Sequence, residues 1–268
     1  LRYVVLDELH AYRGVFGTHV ALILRRLLRL ARHYGASPQV LAASATIANA
    51  REHAEALTGL PFEELKAQVA RTERELLVLL PKPLDRRGER RRSPLLEAAY
   101  LARRLAEAGL KGLVFAGARK SAELIARYAA HPLVRPYRAG YTARERRRLE
   151  ADLKEGRVRV LVSTSALELG VDIGELDAVV LVGYPGSTAA FWQRAGRAGR
   201  GERRALLVYI PREDPMDEYF LHRPALLLES PPEEAVADPS SAPCTSTRRP
   251  GKSPCWRRSS SAPRPGPP

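Results

Sequence analysis

The sequence predicts an α/β protein built on parallel, doubly wound sheets. Short apolar runs of strand length alternate with segments of helical periodicity, an order that is typical of parallel strands joined through covering helices. Hydrophobic residues make up 45% of the 268 residues, which is enough for a core. No apolar run reaches the roughly 18 residues that a transmembrane helix needs. These observations argue against a disordered chain and against a chain that spans a membrane.

The N-terminal part is expected to hold two buried strands and two helices. Apolar runs over residues 3–7 and 39–43 predict the strands, and polar residues follow both runs. Leucines at helical spacing predict a long helix over 14–34, and a second helix is expected over about 50–58. Both helices are followed by a glycine, which commonly ends a helix. A further strand is expected over 75–80.

A regular alternation of strands and helices is expected after a charged linker. The predicted helices cover about 95–108, 118–129, 143–155 and 188–195, and the predicted strands cover 112–116, 135–137, 158–162, 178–182 and 205–210. The predicted organisation has four parts, which are a partial first lobe over 1–80, the linker over 81–94, a second lobe over 95–228, and a tail over 229–268. The tail is rich in proline, serine and arginine, a composition that favours disorder.

The net charge indicates the class of binding partner, and the positions of the cysteines indicate the cellular compartment. The formal net charge is +14, most of it within residues 1–228, and a basic surface of this kind suits a polyanion such as nucleic acid. Both cysteines, Cys244 and Cys255, lie in the tail. They have no CxxC partner, so no zinc site is predicted. A body without cysteine favours a reducing, cytoplasmic setting.

An acidic pair follows the first predicted strand. Asp7 and Glu8 stand at its C-terminal end, which is where open α/β sheets bind ligands. Asp7 is a candidate to hold Mg²⁺ through water, as nucleotide phosphates require, and Glu8 is a candidate to polarise an attacking water. The alternative is a solvated acidic pair at a strand end, which is common.

Hydroxyl groups follow two further predicted strands. Ser44 and Thr46 come after the second strand, where they suit a relay to the acidic pair, although Thr46 or Asn49 also suits a helix N-cap. Thr164 follows the strand over 158–162 and precedes a helical turn, a position that suits a phosphate. Asp172 is a candidate to accept a ribose hydroxyl. The alternative for this segment is a capped turn before the next strand.

A glycine- and arginine-rich block ends the last predicted helix of the second lobe. Arg194, Arg197 and Arg200 are spaced by three residues, which predicts a shared helical face, and glycines keep that face uncrowded. Planar guanidinium groups match phosphate oxygens and neutralise charge in phosphoryl transfer. The alternative, a solvated basic helix end, fits the interleaved glycines less well.

These blocks, in this order and spacing, resemble the superfamily 2 helicases. The segments 7–10, 44–46, 164–172 and 193–200 look like motifs II, III, V and VI, and 113–116 looks like motif IV. The longer strings 7–17, 44–49, 165–172 and 183–186 are similar to the bacterial DEAD/DEAH-box DNA helicases of the YprA/MrfA type. The resemblance covers about residues 1–238 and implies a RecA-like P-loop NTPase helicase core in two lobes, the first of them partial.

The resemblance also implies roles for single residues. Asp7 and Glu8 would coordinate Mg²⁺ and activate water for ATP hydrolysis, with Arg197 and Arg200 as arginine fingers in catalysis. The implied nucleotide-binding residues are Gly170, Asp172 and Gln193; the residues that would couple ATP to strand grip are His10, Ser44 and Thr46; and those along the strand path are Gly140, Arg146 and Thr164.

The implied function is an ATP-dependent DNA helicase of DNA repair that moves 3′ to 5′ along single-stranded or forked DNA. Two alternatives stay open, an RNA helicase of the same superfamily and a non-catalytic nucleic-acid-binding module. The sequence lacks a P-loop: its one Gly-Lys-Ser, at 251–253, lacks the required glycine upstream. We therefore expect a truncated helicase whose isolated chain does not hydrolyse ATP, and a tail altered by a frame shift from about Ser240.

Overall fold

The computed structural model describes residues 1–44, 47–65, 73–85, 90–167, 173–199, 204–229 and 234–237. The strands are β1 (Tyr3–Leu6), β2 (Gln39–Ala42), β3 (Arg74–Val78), β4 (Gly112–Phe115), β5 (Val134–Tyr137), β6 (Val160–Ser163), β7 (Ala178–Val182) and β8 (Ala205–Ile210). The helices are α1 (Gly14–His33), α2 (Ala50–Thr58), α3 (Pro94–Glu107), α4 (Arg119–Ala129), α5 (Ala143–Lys154), α6 (Thr188–Ala195), α7 (Pro215–His222) and α8 (Ala225–Glu229). The predicted alternation of parallel strands and helices is confirmed within these ranges.

The described residues among the first 65 form a small-sheet region. Strands β1 and β2 pair in parallel, with Val4 opposite Val40, and helices α1 and α2 pack beside them. Leu6 is buried against the helices together with Leu24 and Leu57. The prediction that both strands are buried is wrong for the described residues. In β1 only Leu6 is buried, and in β2 no residue is, because the apolar cluster formed with α1 and α2 includes Val4, Leu6 and Val40 and leaves Val5 and Leu41 exposed.

The described residues between 73 and 229 form a large-sheet region around a six-stranded parallel sheet with the order β3-β8-β7-β4-β6-β5. Strands β4, β6 and β7 are fully buried, and apolar clusters cover both faces of the sheet. Strand β3 pairs with β8, with Leu76 opposite Leu207. The predicted first lobe covers residues 1–80, and with them β3, whereas β3 pairs with a strand of the large sheet. The division of the chain into two lobes stays a prediction.

Two helices after β8 were absent from the sequence prediction. Helix α7 begins at Pro215, and the Asp214 carboxylate accepts a hydrogen bond from the backbone N–H of Met216 as its N-cap. Helix α8 follows after a single turn. The signal for α7 was present, because an aspartate before a proline is a common start of a helix. The short length of both helices left no periodicity to read.

The segment 234–237 returns to the small-sheet region. The Asn49 side chain donates to the Ala235 carbonyl and accepts from the Ala235 N–H, both at 2.9 Å. The Gly14 N–H donates to the Val236 carbonyl at 2.7 Å, and Ala237 is buried beside Gly17. The prediction of a tail without structure from 229 onward is therefore corrected for these residues. The suspected frame shift near Ser240 and both cysteines lie outside the described residues.

Candidate functional site

The loops that follow β1 and β2 are joined by backbone hydrogen bonds. The Ala43 N–H donates to the Leu6 carbonyl at 2.8 Å, and the Leu9 N–H donates to the Ala43 carbonyl at 2.9 Å. Asp7 and Glu8 lie between Leu6 and Leu9 in the chain, so the acidic pair lies beside the start of the hydroxyl segment. The structure thus brings together two of the segments that the sequence singled out.

The backbone of Glu8 is left-handed, with φ 51° and ψ 49°. Among the described residues, Ala130 is the only other non-glycine residue with a positive φ. Such conformations cost free energy and concentrate at functional sites. Two contacts accompany the turn: the Glu8 N–H donates to Oδ1 of Asp7 at 2.9 Å, and Oε2 of Glu8 lies 3.5 Å from Nδ1 of His10. The acidic loop is therefore a turn with a defined backbone conformation, held by contacts of Glu8 with Asp7 and His10.

The residues predicted to couple ATP to strand grip differ in exposure. His10 is buried in a 3₁₀ turn over Leu9–Ala11, and Ser44 is exposed. Thr46 lies outside the described residues. Asn49 precedes α2 without capping it through its side chain, which instead binds Ala235.

A buried imidazole lies behind the acidic loop. His53 on α2 is almost fully buried, and burial lowers its pKa below the ordinary value of 6.5. The backbone groups of Tyr12 and Leu9 raise this pKa, but more weakly. His53 thus packs against the turn that contains His10, and it is neutral near pH 7.

A second cluster lies at the C-terminal edge of the large sheet. Thr164 follows β6, and it lines a cavity of about 380 Å³ together with Gly117 after β4 and Gly183 after β7. Arg194 from α6 and Arg212 from the loop after β8 line the same cavity. Helix α6 is capped by the Ser187 hydroxyl, which accepts from the Ala190 N–H. This edge collects hydroxyl groups, glycine backbone and guanidinium groups.

Arg194, Arg197 and Arg200 were predicted to share one face of a helix. That prediction is wrong for Arg194 and Arg197. Helix α6 ends at Ala195, so Arg194 lies in its last turn and Arg197 lies in the turn beyond. The physical reason is the run of glycines, which is costly in a helix. Arg197 is 6% exposed and Gln193 is half-buried. Gly170, Asp172 and Arg200 lie outside the described residues.

Gly140 and Arg146, the other residues predicted to contact the nucleic-acid strand, are not among the residues that line the cavity beside Thr164. Gly140 is exposed in a turn before α5. Arg146 is half-buried on α5 beside Tyr137, whose hydroxyl donates to Glu150 at 2.7 Å. Burial and Glu150 raise the pKa of Tyr137 to about 12, and Arg146 opposes that shift. Arg146 therefore takes part in a side-chain cluster of the domain.

Sequence reasoning missed the pair Arg212 and Asp217. The Asp217 side chain is fully buried, and its Oδ2 lies 3.5 Å from Nε of Arg212. Its Oδ1 accepts hydrogen bonds from the Tyr184 N–H and from the Tyr209 hydroxyl. A single signal pointed to it, a carboxylate in the first turn of a helix that begins with Asp-Pro. That signal predicts a helix start and gives no hint of the partners.

The described residues hold no group of three or more His, Cys, Asp or Glu side chains arranged for a metal ion. Within the same residues, no helix combines the length and apolar character that crossing a membrane requires.

In comparisons with known proteins, both the sequence and the fold of this chain match helicases. A model of the helicase conserved C-terminal domain matches residues 95–202. An uncharacterized ATP-dependent helicase YprA of Bacillus subtilis is 41% identical over 248 residues, which is 89% of this chain and 33% of that protein. The ATP-dependent helicase hrq1 of Schizosaccharomyces pombe is 34% identical over 254 residues, 89% of this chain and 24% of that protein.

A crystal structure of the DUF1998 helicase MrfA bound to DNA and AMPPNP superposes with a TM-score of 0.82 at 40% identity. The match covers 90% of this chain and 35% of the MrfA chain. The six-stranded parallel sheet and its helices correspond to the C-terminal RecA-like lobe of such helicases. The chain spans about a third or less of the length of these relatives.

Proposed function

Because the chain belongs to the superfamily 2 helicases of the YprA, MrfA and Hrq1 type, we propose that it forms the part of an ATP-dependent DNA helicase that couples nucleotide hydrolysis to movement along a strand. The small-sheet region contributes the acidic loop, and the large-sheet region contributes the strand-binding edge and the arginines. A 3′ to 5′ direction, a role in DNA repair and a cytoplasmic setting belong to the same proposal.

The observation that carries the proposal is the paired loops after β1 and β2. They hold Asp7 and Glu8 next to Ser44, with Glu8 in a left-handed turn beside His10. Asp7 is exposed at the end of a strand and Glu8 is partly exposed, so a nucleotide phosphate has access to both. Hydrolysis of a phosphoanhydride needs a positioned water and stabilised charge, and this loop offers the groups for the first task.

Mg²⁺ and ATP fit this donor set. Carboxylate oxygens are ligands that Mg²⁺ prefers, and Mg²⁺ commonly keeps several waters while one or two carboxylates and the phosphates hold it. An exposed Asp7 suits that arrangement. The metal would supply charge neutralisation at the phosphates. Glu8 would orient the water, and its contact with His10 gives the loop a path by which a change at the carboxylate reaches the packed interior.

DNA is the proposed polymer because the MrfA structure is bound to DNA and matches 90% of this chain. A net charge of +14 suits either nucleic acid. The test is competition binding of single-stranded DNA and RNA of matched sequence at the same salt concentration. We expect DNA to displace RNA from the chain; displacement in the opposite order would support the RNA-helicase alternative.

ATP turnover separates the remaining alternatives. The sequence contains no P-loop, so we expect the purified 268-residue chain to bind single-stranded DNA without DNA-stimulated ATP hydrolysis. Turnover that Glu8→Gln abolishes would show that the chain holds its own phosphate cradle. Binding that is unchanged by ATP and by Arg197→Ala would instead support a non-catalytic nucleic-acid-binding module.

A further inference from the structure

The C-terminal edge of the large sheet holds a guanidinium group whose position is fixed by a buried carboxylate. Arg212 lies two residues beyond the end of β8, and Nε of its guanidinium lies 3.5 Å from Oδ2 of Asp217. Asp217 is 0% exposed, whereas Arg212 is 43% exposed. Oδ2 of Asp217 has no hydrogen-bond partner among the described residues. Arg212 therefore supplies the opposite charge next to Oδ2 of this buried carboxylate.

The backbone around Arg212 leaves room for that guanidinium. A Cβ atom at Gly183 would lie 2.2 Å from Nε of Arg212, and one at Gly117 would lie 3.1 Å from Nη1. Gly183 also has a φ of +81°, which side-chain-bearing residues rarely adopt. Two glycines just beyond the ends of the neighbouring strands β4 and β7 thus leave room for the Arg212 guanidinium.

The carboxylate of Asp217 is itself fixed by two hydrogen bonds. Its Oδ1 accepts from the Tyr184 N–H at 2.6 Å and from the Tyr209 hydroxyl. Burial and the neighbouring carboxylate raise the pKa of Tyr209, so its hydroxyl remains a donor. A carboxylate with two donors on one oxygen is oriented before any ligand arrives. Arg212 is consequently preorganised, which lowers the entropy that binding costs.

Arg212 lines the cavity of about 380 Å³ that Thr164 and Arg194 also line. A guanidinium has five N–H donors, and the contact with Asp217 involves Nε. The cavity also has the hydroxyl of Ser165 and the carboxylate of Asp214 on its lining, the latter engaged as the cap of α7. Two cations, two hydroxyls and glycine backbone favour an anion with several oxygens.

We propose that Arg212, positioned by Asp217, binds a backbone phosphate of the nucleic-acid strand next to Thr164. This inference rests on the proposed function, because it supplies a contact on the strand that the helicase grips. Arg212 belongs to none of the motifs recognised in the sequence. A planar guanidinium pairs with two phosphate oxygens at once, whereas an ammonium acts as a point charge. The geometry therefore predicts a preference for arginine beyond its charge.

The test is the affinity of the 268-residue chain for a fluorescein-labelled deoxythymidine oligonucleotide over a series of salt concentrations. For Arg212→Gln we expect roughly tenfold weaker binding and a salt dependence reduced by about 0.7 in log–log slope, the value for one phosphate on a single strand. For Arg212→Lys we expect weaker binding with the slope retained, because the charge stays while the paired geometry is lost.

Arg204 provides the matched control at the opposite end of the same strand. It is exposed and forms an ion pair with the exposed Glu73 at 2.8 Å, so Arg204→Gln removes one arginine charge from the opposite end of the parallel strands, away from the cavity. We expect it to leave affinity and slope near those of the unsubstituted chain. Equal behaviour of Arg212→Gln and Arg204→Gln, with a chain that binds, would overturn this inference alone. No binding by the unsubstituted chain would instead overturn the proposed function.

Discussion

The small-sheet and large-sheet regions are built from similar strand sequences but differ in burial. In the large sheet, β6 and β7 are buried along their whole length between helices on both faces. In the small sheet, Val5 of β1 is 66% exposed and Leu41 of β2 is 47% exposed. Every strand in both sheets is parallel to its neighbours. The two regions thus differ in what covers the strands rather than in how the strands pair.

This difference teaches that an apolar run predicts a strand more securely than it predicts a core. A parallel strand is stabilised by burial on both faces, which needs neighbours that are distant in sequence. In the large-sheet region those neighbours are described, and the apolar runs have a place to pack. In the small-sheet region the helices α1 and α2 cover Leu6, while Tyr3 and Val5 stay exposed.

The comparison is tested most strongly by the same substitution in each sheet. Leu181 of β7 is fully buried, so Leu181→Ala should lower the free energy of unfolding by about 2–5 kcal/mol through lost contacts and a cavity. Leu41→Ala in β2 should cost less than about 1 kcal/mol, because half of that side chain already meets water. Urea denaturation followed by circular dichroism measures both. Similar losses in the two variants would mean that the small sheet is covered in solution.

Local patterns predicted most of the helices and strands, and the misses have physical reasons. Long helices and buried strands leave a periodicity that a sequence shows, as in α1 and β7. Strand β3 was predicted, yet its pairing with β8 was not, because a pairing partner more than a hundred residues away leaves no local trace. Helices α7 and α8 are too short for periodicity to be read.

The candidate site was predictable where motifs carried it. Asp7, Glu8 and Thr164 occupy the strand ends that the sequence predicted. Arg212 and Asp217 were missed because the position of Arg212 depends on space left by Gly117 and Gly183, which follow other strands of the sheet. Contacts of that kind arise from the fold and have no spacing in the sequence.

Residues 234–237, which contact the small-sheet region, offer a second test with a smaller expected effect. It asks how much these contacts stabilise that region. Asn49→Ala removes the donor and the acceptor that pair with the backbone of Ala235, leaving those groups without their partner. We expect a loss of about 1–2 kcal/mol and faster hydrogen exchange at the amides of Ala235 and Gly14. Amides of the large sheet, such as that of Val180, should keep their protection. Asn49→Asp, which retains the acceptor, should show an intermediate effect.

If exchange at Val180 rose together with exchange at Ala235, the segment would be supporting the whole chain rather than the small-sheet region. Unchanged exchange at both amides would show that the two hydrogen bonds contribute nothing to the attachment of residues 234–237.

The smallest expected effect concerns pH and again distinguishes the two regions. Burial lowers the pKa of His53 in the folded small-sheet region below the ordinary 6.5 of an unfolded chain. As pH falls through 6.5 the unfolded state binds a proton that the folded state resists, so stability falls; well above 6.5 the imidazole is neutral in both states and the group has no effect. We expect a loss below about 1 kcal/mol between pH 6.5 and 5.5. Urea midpoints measured across this range should lose that slope in His53→Gln and keep it in His33→Gln, since His33 is exposed at the end of α1. A slope that survives His53→Gln would assign the pH response to another group.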